Sequence, residues 1–155
     1  MTLPTAAPEA SGAGLQGWTE PVQVHFDDLD AMGMVHNARY PLLLERALMT
    51  YWTAHGWSSD PGRSAFEDVF LAVREFTITY HVPIAAAGTI GVRFWIDRLG
   101  NTSVVYGFQV LSADGATVHA EGRRAQVRID PATLRPQPLS ERLRELARPL
   151  VRTAA

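Results

Sequence analysis

The sequence predicts an α+β protein in which one long helix lies against an antiparallel sheet. Three observations carry this. Apolar residues recur at helical spacing from Asn37 to about His55, and two later segments, Ile90–Ile96 and Val104–Val110, alternate strictly between apolar and other residues. Gly100-Asn101 and Asp114-Gly115 then mark turns between consecutive strands. Three hairpin-linked strands imply an antiparallel sheet whose apolar face needs a cover, and the amphipathic helix supplies it.

The elements follow in order. Val22, Val24 and Phe26 alternate with Gln23 and His25, predicting a half-buried strand that stops at the acidic cluster Asp27–Asp30. At 100° per residue, Tyr40, Leu43, Leu44, Ala47, Leu48, Tyr51 and Ala54 share one helix face. Pro41 restricts the helix start, since proline is tolerated only in a first turn, and Gly56 is a natural stop. Val69–Val82 is strand-like, with a bulge expected where Arg74 and Glu75 interrupt the apolar phase. A surface or intersubunit ion pair accounts for those two charges. The strand from about Thr117 to Ile129 carries a second phase shift near Gly122. After Pro131 and Pro136, Ser140 caps a short helix bearing Leu143 and Leu146. Residues 1–17 read as a flexible tail, 18–150 as one domain and 151–155 as a frayed end.

Composition narrows the chemistry. With no Cys, the chain has no thiolate nucleophile, no disulfide and no Cys-ligated metal site. Carboxylates, His, hydroxyls and backbone groups remain. A net charge of -2 gives no positive field for a nucleic acid. The opening residues lack a basic start and an apolar run, and no stretch approaches the ~20 apolar residues of a membrane span. The expectation is a cytoplasmic protein with no membrane or nucleic-acid partner. Gly12–Gly17 spells GxGxxG, but a Pro/Ala tail precedes it and Trp18-Thr19-Glu20-Pro21 follows, so the strand and helix that make it a dinucleotide site are missing. Asp28-Leu29-Asp30 could open a calcium loop, yet its twelfth position is Arg39 rather than Glu. The spacing of His25, His36 and the aspartates matches no metal-ligand set, and no metal is expected.

The segment from Phe26 to Tyr40 is the candidate site. An acidic loop and a flexible Gly33 stand directly before the long helix. The first turn of a helix exposes unpaired N–H groups and a partial positive charge, which suits a developing oxyanion. A nearby carboxylate can attack a carbonyl carbon or activate water. Aspartates before a helix also serve simply as caps, and spacing alone favours that.

Asp28 to Tyr40 resembles the D-x-D-x-x-G-x-V-x-N-x-x-Y signature of hotdog-fold thioesterases of the 4-hydroxybenzoyl-CoA thioesterase-like family, and Glu45-Arg46-Ala47 also matches. The resemblance implies a five-stranded antiparallel sheet wrapped around one long helix, and hydrolysis of an acyl-CoA or acyl-carrier-protein thioester without a cofactor. It puts the catalytic carboxylate on Asp30, as nucleophile or general base, and the oxyanion donor on the helix-start N–H, that of Asn37. Gly33 becomes a turn residue allowing close backbone approach.

Where many relatives read G-H-V-N-N, this chain reads Gly33-Met34-Val35-His36-Asn37. His36 therefore supplies an imidazole, as a base or, on the favoured reading, as a positioning or solvent-facing group. The resemblance also implies a homodimer or homotetramer with substrate held where subunits meet. Arg98, Thr102 and Ser103 then face the pantetheine or nucleotide end of CoA, or are hairpin residues only. Arg123 and Arg124 are further phosphate candidates, better explained as a solvated face. Trp52, Trp57, Phe66 and Phe70 line an acyl pocket or form core. Two other functions fit the fold, a non-catalytic acyl-thioester-binding module and a dehydratase using a His/Asp pair.

Overall fold

The computed structural model describes residues 17–153, so most of the expected N-terminal tail, the GxGxxG run up to Gln16 and residues 154–155 lie outside it. Its elements are β1 (Trp18–Val24), α1 (Tyr40–Ala54), β2 (Leu71–Tyr80), β3 (Gly88–Leu99), β4 (Ser103–Leu111), β5 (Val118–Arg128) and α2 (Glu141–Ala147). One five-stranded antiparallel sheet has the order β1-β3-β4-β5-β2. The meander β3-β4-β5 is the part that turn signals predicted, and β2 crosses to the far edge beside β5.

The long helix begins later than its periodicity suggested. Asn37–Arg39 form a 3-10 turn, and the α-helix starts at Tyr40 with Pro41 in its first turn. Its buried face is Tyr40, Leu43, Leu44, Ala47, Leu48, Tyr51 and Trp52, while Ala54 is exposed. This face packs on Val92, Phe94, Ile96, Val104, Tyr106, Phe108 and Val110 of the central strands. Fully burying a Phe94 or Leu43 side chain is worth about 1.5–3 kcal/mol, so these contacts dominate the stability of the fold. Tyr51 meets Phe94 edge-on at 5.5 Å, and Trp52 Nε1–H donates to the Tyr106 hydroxyl at 2.9 Å across the layer.

Two irregularities expected in the strands resolve differently. The β2 bulge is present, with the register against β5 shifting between Val73 and Glu75. Around Gly122 there is no bulge, because β5 runs in register past it against both β4 and β2. The inward positions of β5 are Ala120, Gly122, Arg124 and Gln126, opposite Val110, Phe108, Tyr106 and Val104. The apolar phase broke because polar side chains point inward there. Gly122 itself has no room for a side chain, since a Cβ would lie 1.9 Å from the Thr77 carbonyl oxygen.

At the ends of the chain, Phe26 leaves the strand and is 85% exposed. The cause is local: the Asp28 carboxylate accepts from the His25 N–H at 2.8 Å and turns the chain at that point. Ser140 caps α2, accepting from Leu143 N–H at 3.1 Å, and its own N–H donates to buried Asp68 at 2.9 Å. Val151 and Arg152, expected to fray, pair with β3 instead; Val151 bridges Ile96, and Arg152 N–H donates to the Ile96 carbonyl at 2.8 Å. No helix among the described residues is long and apolar enough to cross a membrane.

Candidate active site

Asp28 and Asp30 stand close together in the signature and do different work. Asp28 is 1% exposed and braces the loop against α1. Its carboxylate takes the His25 N–H and pairs with Arg46 at 3.2 Å, while its carbonyl accepts the His36 N–H at 2.9 Å. Burial pushes the Asp28 carboxyl up, but the His25 hydrogen bond and the Arg46 guanidinium together outweigh burial and hold it below the ordinary carboxylate range.

Asp30 opens a tight loop closed by the Leu29–Val35 bridge. Its Oδ1 accepts from Met32 N–H at 2.8 Å and Met34 N–H at 3.2 Å, and its backbone N–H donates to the Met34 carbonyl at 2.7 Å. These bonds fix the side chain by one oxygen. The other oxygen has no partner among the described residues. Gly33 makes the loop possible through a φ of +75°, where a Cβ is strained. Among the described residues, its two chain neighbours aside, nothing lies within 4 Å of that Cβ position, so the backbone angle is the requirement.

The helix start is defined by which N–H groups are taken. Val35 N–H donates to Ile84, His36 N–H to Asp28 and Arg39 N–H to His36. Ala38 N–H donates to the His36 ring at Nδ1, 3.0 Å away, which makes His36 the cap with Nδ1 as its acceptor. The Asn37 N–H is left without an acceptor among the described residues, and its side chain is exposed. The Tyr80 hydroxyl, from the end of β2, donates to the Asn37 carbonyl at 3.1 Å, and the Tyr80 ring stands edge-on to buried Tyr40 at 5.0 Å. Tyr80 was missed in the sequence because 43 residues separate it from Asn37. Among the described residues no Asp30–His36 hydrogen bond forms: Asp30 Oδ1 is held by Met32 and Met34 N–H, and His36 Nδ1 by Ala38 N–H.

Arg98, Thr102 and Ser103 lie elsewhere in the chain. Gly88 pairs with Val24 just before the acidic loop, and Arg98 is ten residues further along β3, roughly 33 Å away at strand rise. Thr102 and Ser103 complete the β3–β4 corner, where their carbonyls accept from Arg128 and Gly100. Within one chain this corner does not meet Asp30. Arg123 pairs with Asp97 at 3.5 Å on the outer face. Arg124 is not on a solvated face; its side chain is 7% exposed and pairs with Glu45 of α1. Trp52, Trp57 and Phe66 line a cavity of about 130 Å³ beside that pair, whereas Phe70 lies outside it and is exposed. A larger open cleft of about 610 Å³ sits by Arg128, Pro138 and Arg142 at the end of the sheet away from Asp30. No three described His, Asp or Glu side chains cluster in a way that could hold a metal ion.

Comparison with known proteins places the fold in a family. The family model described as the thioesterase-like superfamily matches residues 24–146. The chain is 28% identical over 119 residues to the acyl-CoA thioester hydrolase YbgC of Escherichia coli O6:H1, covering 77% of this chain and 87% of that protein. Among solved structures, a thioesterase from Thermus thermophilus, complexed with coenzyme A and Zn, is 28% identical with a TM-score of 0.70 over 90% of this chain and 96% of that one. The PA5185 protein from Pseudomonas aeruginosa is 26% identical with a TM-score of 0.76, again over 90% and 96%.

Proposed function

Because the chain belongs to the thioesterase-like superfamily, we propose that it hydrolyses an acyl thioester of coenzyme A, or of acyl-carrier protein, to the free acid and the thiol. The observation that carries this reading is the Asn37 N–H. It stands unspent at the mouth of the long helix, after the loop that presents one free oxygen of Asp30. A thioester carbonyl oxygen accepting that N–H gains both a hydrogen bond and the helix dipole as negative charge develops on it.

Asp30 then acts by one of two routes. As nucleophile, its free oxygen adds to the carbonyl carbon, the C–S bond breaks, the thiolate leaves, and water cleaves the resulting anhydride. As general base, it takes a proton from a water whose oxygen adds to the same carbon, and the thiolate departs with the proton restored. Fixing Oδ1 with two backbone N–H groups aims the free oxygen under either route. Asp28, held charged by Arg46, keeps the loop docked on the helix and takes no part in the reaction.

The distant corner fits a site completed by a second copy. Arg98, Thr102 and Ser103 are out of reach of their own Asp30, and in the described residues β2 is an edge strand with Val73 and Tyr80 exposed. A homodimer presents one subunit's corner to the other's helix start, where Arg98 pairs with a CoA phosphate.

The test is a panel of acyl-CoA substrates and one acyl-carrier protein, with free thiol measured. Thiol release that falls by several orders of magnitude in Asp30→Asn is expected. Wild-type turnover in that variant removes the mechanism, and no release from any substrate removes the activity.

A further inference from the structure

Resting on the reading that the β3–β4 corner meets the phosphate end of coenzyme A, we propose that Arg144 of α2 is a positioning residue for that end of the substrate. It turns the corner's backbone N–H groups outward and so prepares the corner for a phosphate. The Arg144 Nη2 donates to the Gly100 carbonyl at 2.8 Å and to the Asn101 carbonyl at 3.1 Å. Nothing else on α2 reaches the corner through a side chain.

A trans peptide points its C=O and its N–H in opposite directions. The Gly100 carbonyl shares a peptide unit with the Asn101 N–H, and the Asn101 carbonyl shares one with the Thr102 N–H. Holding both carbonyls on the α2 side therefore aims both N–H groups away from it. Those two N–H groups have no acceptor among the described residues. The next two carbonyls are spent as well, Thr102 on the Arg128 N–H at 2.9 Å and Ser103 on the Gly100 N–H at 2.8 Å. The Thr102 and Ser103 hydroxyls have no hydrogen-bond partner among the described residues, and exposed Arg98 has no ion pair there. Acceptors tied inward and donors left outward suit an anion. The guanidinium behind the two peptides polarises them in the same sense, which strengthens their N–H groups as donors.

The segment that carries Arg144 is itself braced. Leu139 N–H donates to the Asn101 carbonyl at 2.8 Å, and the Pro138 carbonyl accepts from Arg128 at 2.8 Å. Ser140 donates through its N–H and its hydroxyl to the fully buried Asp68. With Leu139 already on Asn101, the Gly100 carbonyl is the one that depends on Arg144 alone among the described residues. Once Arg144 is removed, that peptide is free to turn and to present an acceptor oxygen where a phosphate needs a donor. The corner lies far from Asp30 of its own chain, at the other end of β3. The loss therefore falls on binding of the phosphate end and leaves the reacting carbonyl alone.

The experiment compares an acyl-CoA with the pantetheine thioester of the same acyl group, which carries no phosphate, in wild type, Arg144→Met, Arg144→Lys and Arg142→Met. Arg144→Met is expected to raise KM for acyl-CoA about fivefold, the worth of one hydrogen bond, with kcat within about twofold and KM for acyl-pantetheine unchanged. Arg144→Lys keeps the charge and a donor for the Gly100 carbonyl, and should raise KM by only about twofold. Arg142→Met loses an exposed pair with Glu145 and should match wild type. Calorimetric titration with coenzyme A itself reads the same weakening without turnover, and melting curves report folding. A merely structural role moves both substrates together in step with the melting temperature. Equal changes for the two substrates, an unchanged KM for acyl-CoA in Arg144→Met, or a Lys variant no better than Met overturns the inference. If Arg144→Met does not fold, the same split between substrates is read from Arg144→Lys. Weaker coenzyme A binding in Arg144→Met, with no thioester hydrolysed by wild type, keeps the Arg144 assignment and removes the thioesterase reading. Hydrolysis by wild type with the same KM for acyl-CoA and acyl-pantetheine does the reverse, because the corner then holds no phosphate.

Discussion

The Tyr80 hydroxyl donates to the Asn37 carbonyl at 3.1 Å, joining the end of β2 to the start of the long helix. On the other side of the same peptide unit, Ala38 N–H donates to the His36 ring. The 37–38 peptide is thus gripped at both ends, and the preceding peptide, which carries the proposed oxyanion donor, is oriented with it. Tyr80→Phe removes one grip without changing the ring contact with Tyr40. Losing a hydrogen bond worth about 1 kcal/mol predicts a fall in kcat of about fivefold with KM little changed. Steady-state kinetics beside a melting curve checks this, and an equal rise in KM would assign Tyr80 to binding instead.

His36 separates capping from proton transfer. An Asn side chain can accept the Ala38 N–H much as Nδ1 does, whereas Ala cannot. His36→Asn is expected to keep most of kcat and stability. His36→Ala should lose about 1 kcal/mol of stability along with activity. If the two variants lose kcat alike while Asn restores the melting temperature, the ring works on the substrate.

The sequence revealed what repeats over short distances. Tyr40 to Tyr51 could be placed on one face by the helical period, the three linked strands by the alternation around Phe94 and Phe108, and the β2 bulge by the charges at Arg74 and Glu75. It concealed what depends on a partner far along the chain. Arg124 and Gln126 looked like a slip of phase because only the Tyr106 and Val104 pairings show that they face inward. Tyr80 looked like an ordinary strand residue until the crossover of β2 brought it to Asn37. The signature placed Asp30 and the helix start together, but the corner at Arg98 belongs to the opposite end of the sheet.

Asp28 carries a pH dependence whose sign follows from its depressed value. Above its ordinary value of 3.8 the ionised carboxylate contributes its full stability, and that contribution is lost as the pH falls through the lower folded value. Wild type is expected to exceed Asp28→Asn by about 1.5–3 kcal/mol near neutrality, the usual worth of hydrogen bonds to a charged group. Urea titrations from about pH 7 to about pH 3 should show that lead shrinking only in the acid range. A constant lead across that range contradicts the assignment.

Gly122 has no side chain because the Thr77 carbonyl occupies the space. In Gly122→Ala the Cβ meets backbone on the neighbouring strand, which cannot move without breaking the β2–β5 ladder. A loss of about 3 kcal/mol or more is expected, at the upper end of overpacking effects. Since Tyr80 lies at the end of β2, activity should fall faster than global stability as temperature rises. Activity and far-ultraviolet circular dichroism followed together test that order.

A site built from two chains has a consequence that a site within one chain lacks. Asp30→Asn removes the proposed reacting carboxylate and Arg98→Ala the proposed phosphate contact, so each homodimer would carry two impaired sites. When the two variants are unfolded and refolded together, random pairing makes about half the dimers mixed. In a mixed dimer, one site receives Asp30 from one chain and Arg98 from the other, both intact, while its twin carries both lesions. About one quarter of all sites should then regain wild-type kcat and KM. If both groups served a site within one chain, mixing would create no intact site and activity would stay at the average of the two variants. The distance along β3 between Gly88 and Arg98 favours recovery, because no bend seen in that strand returns the corner to its own helix start.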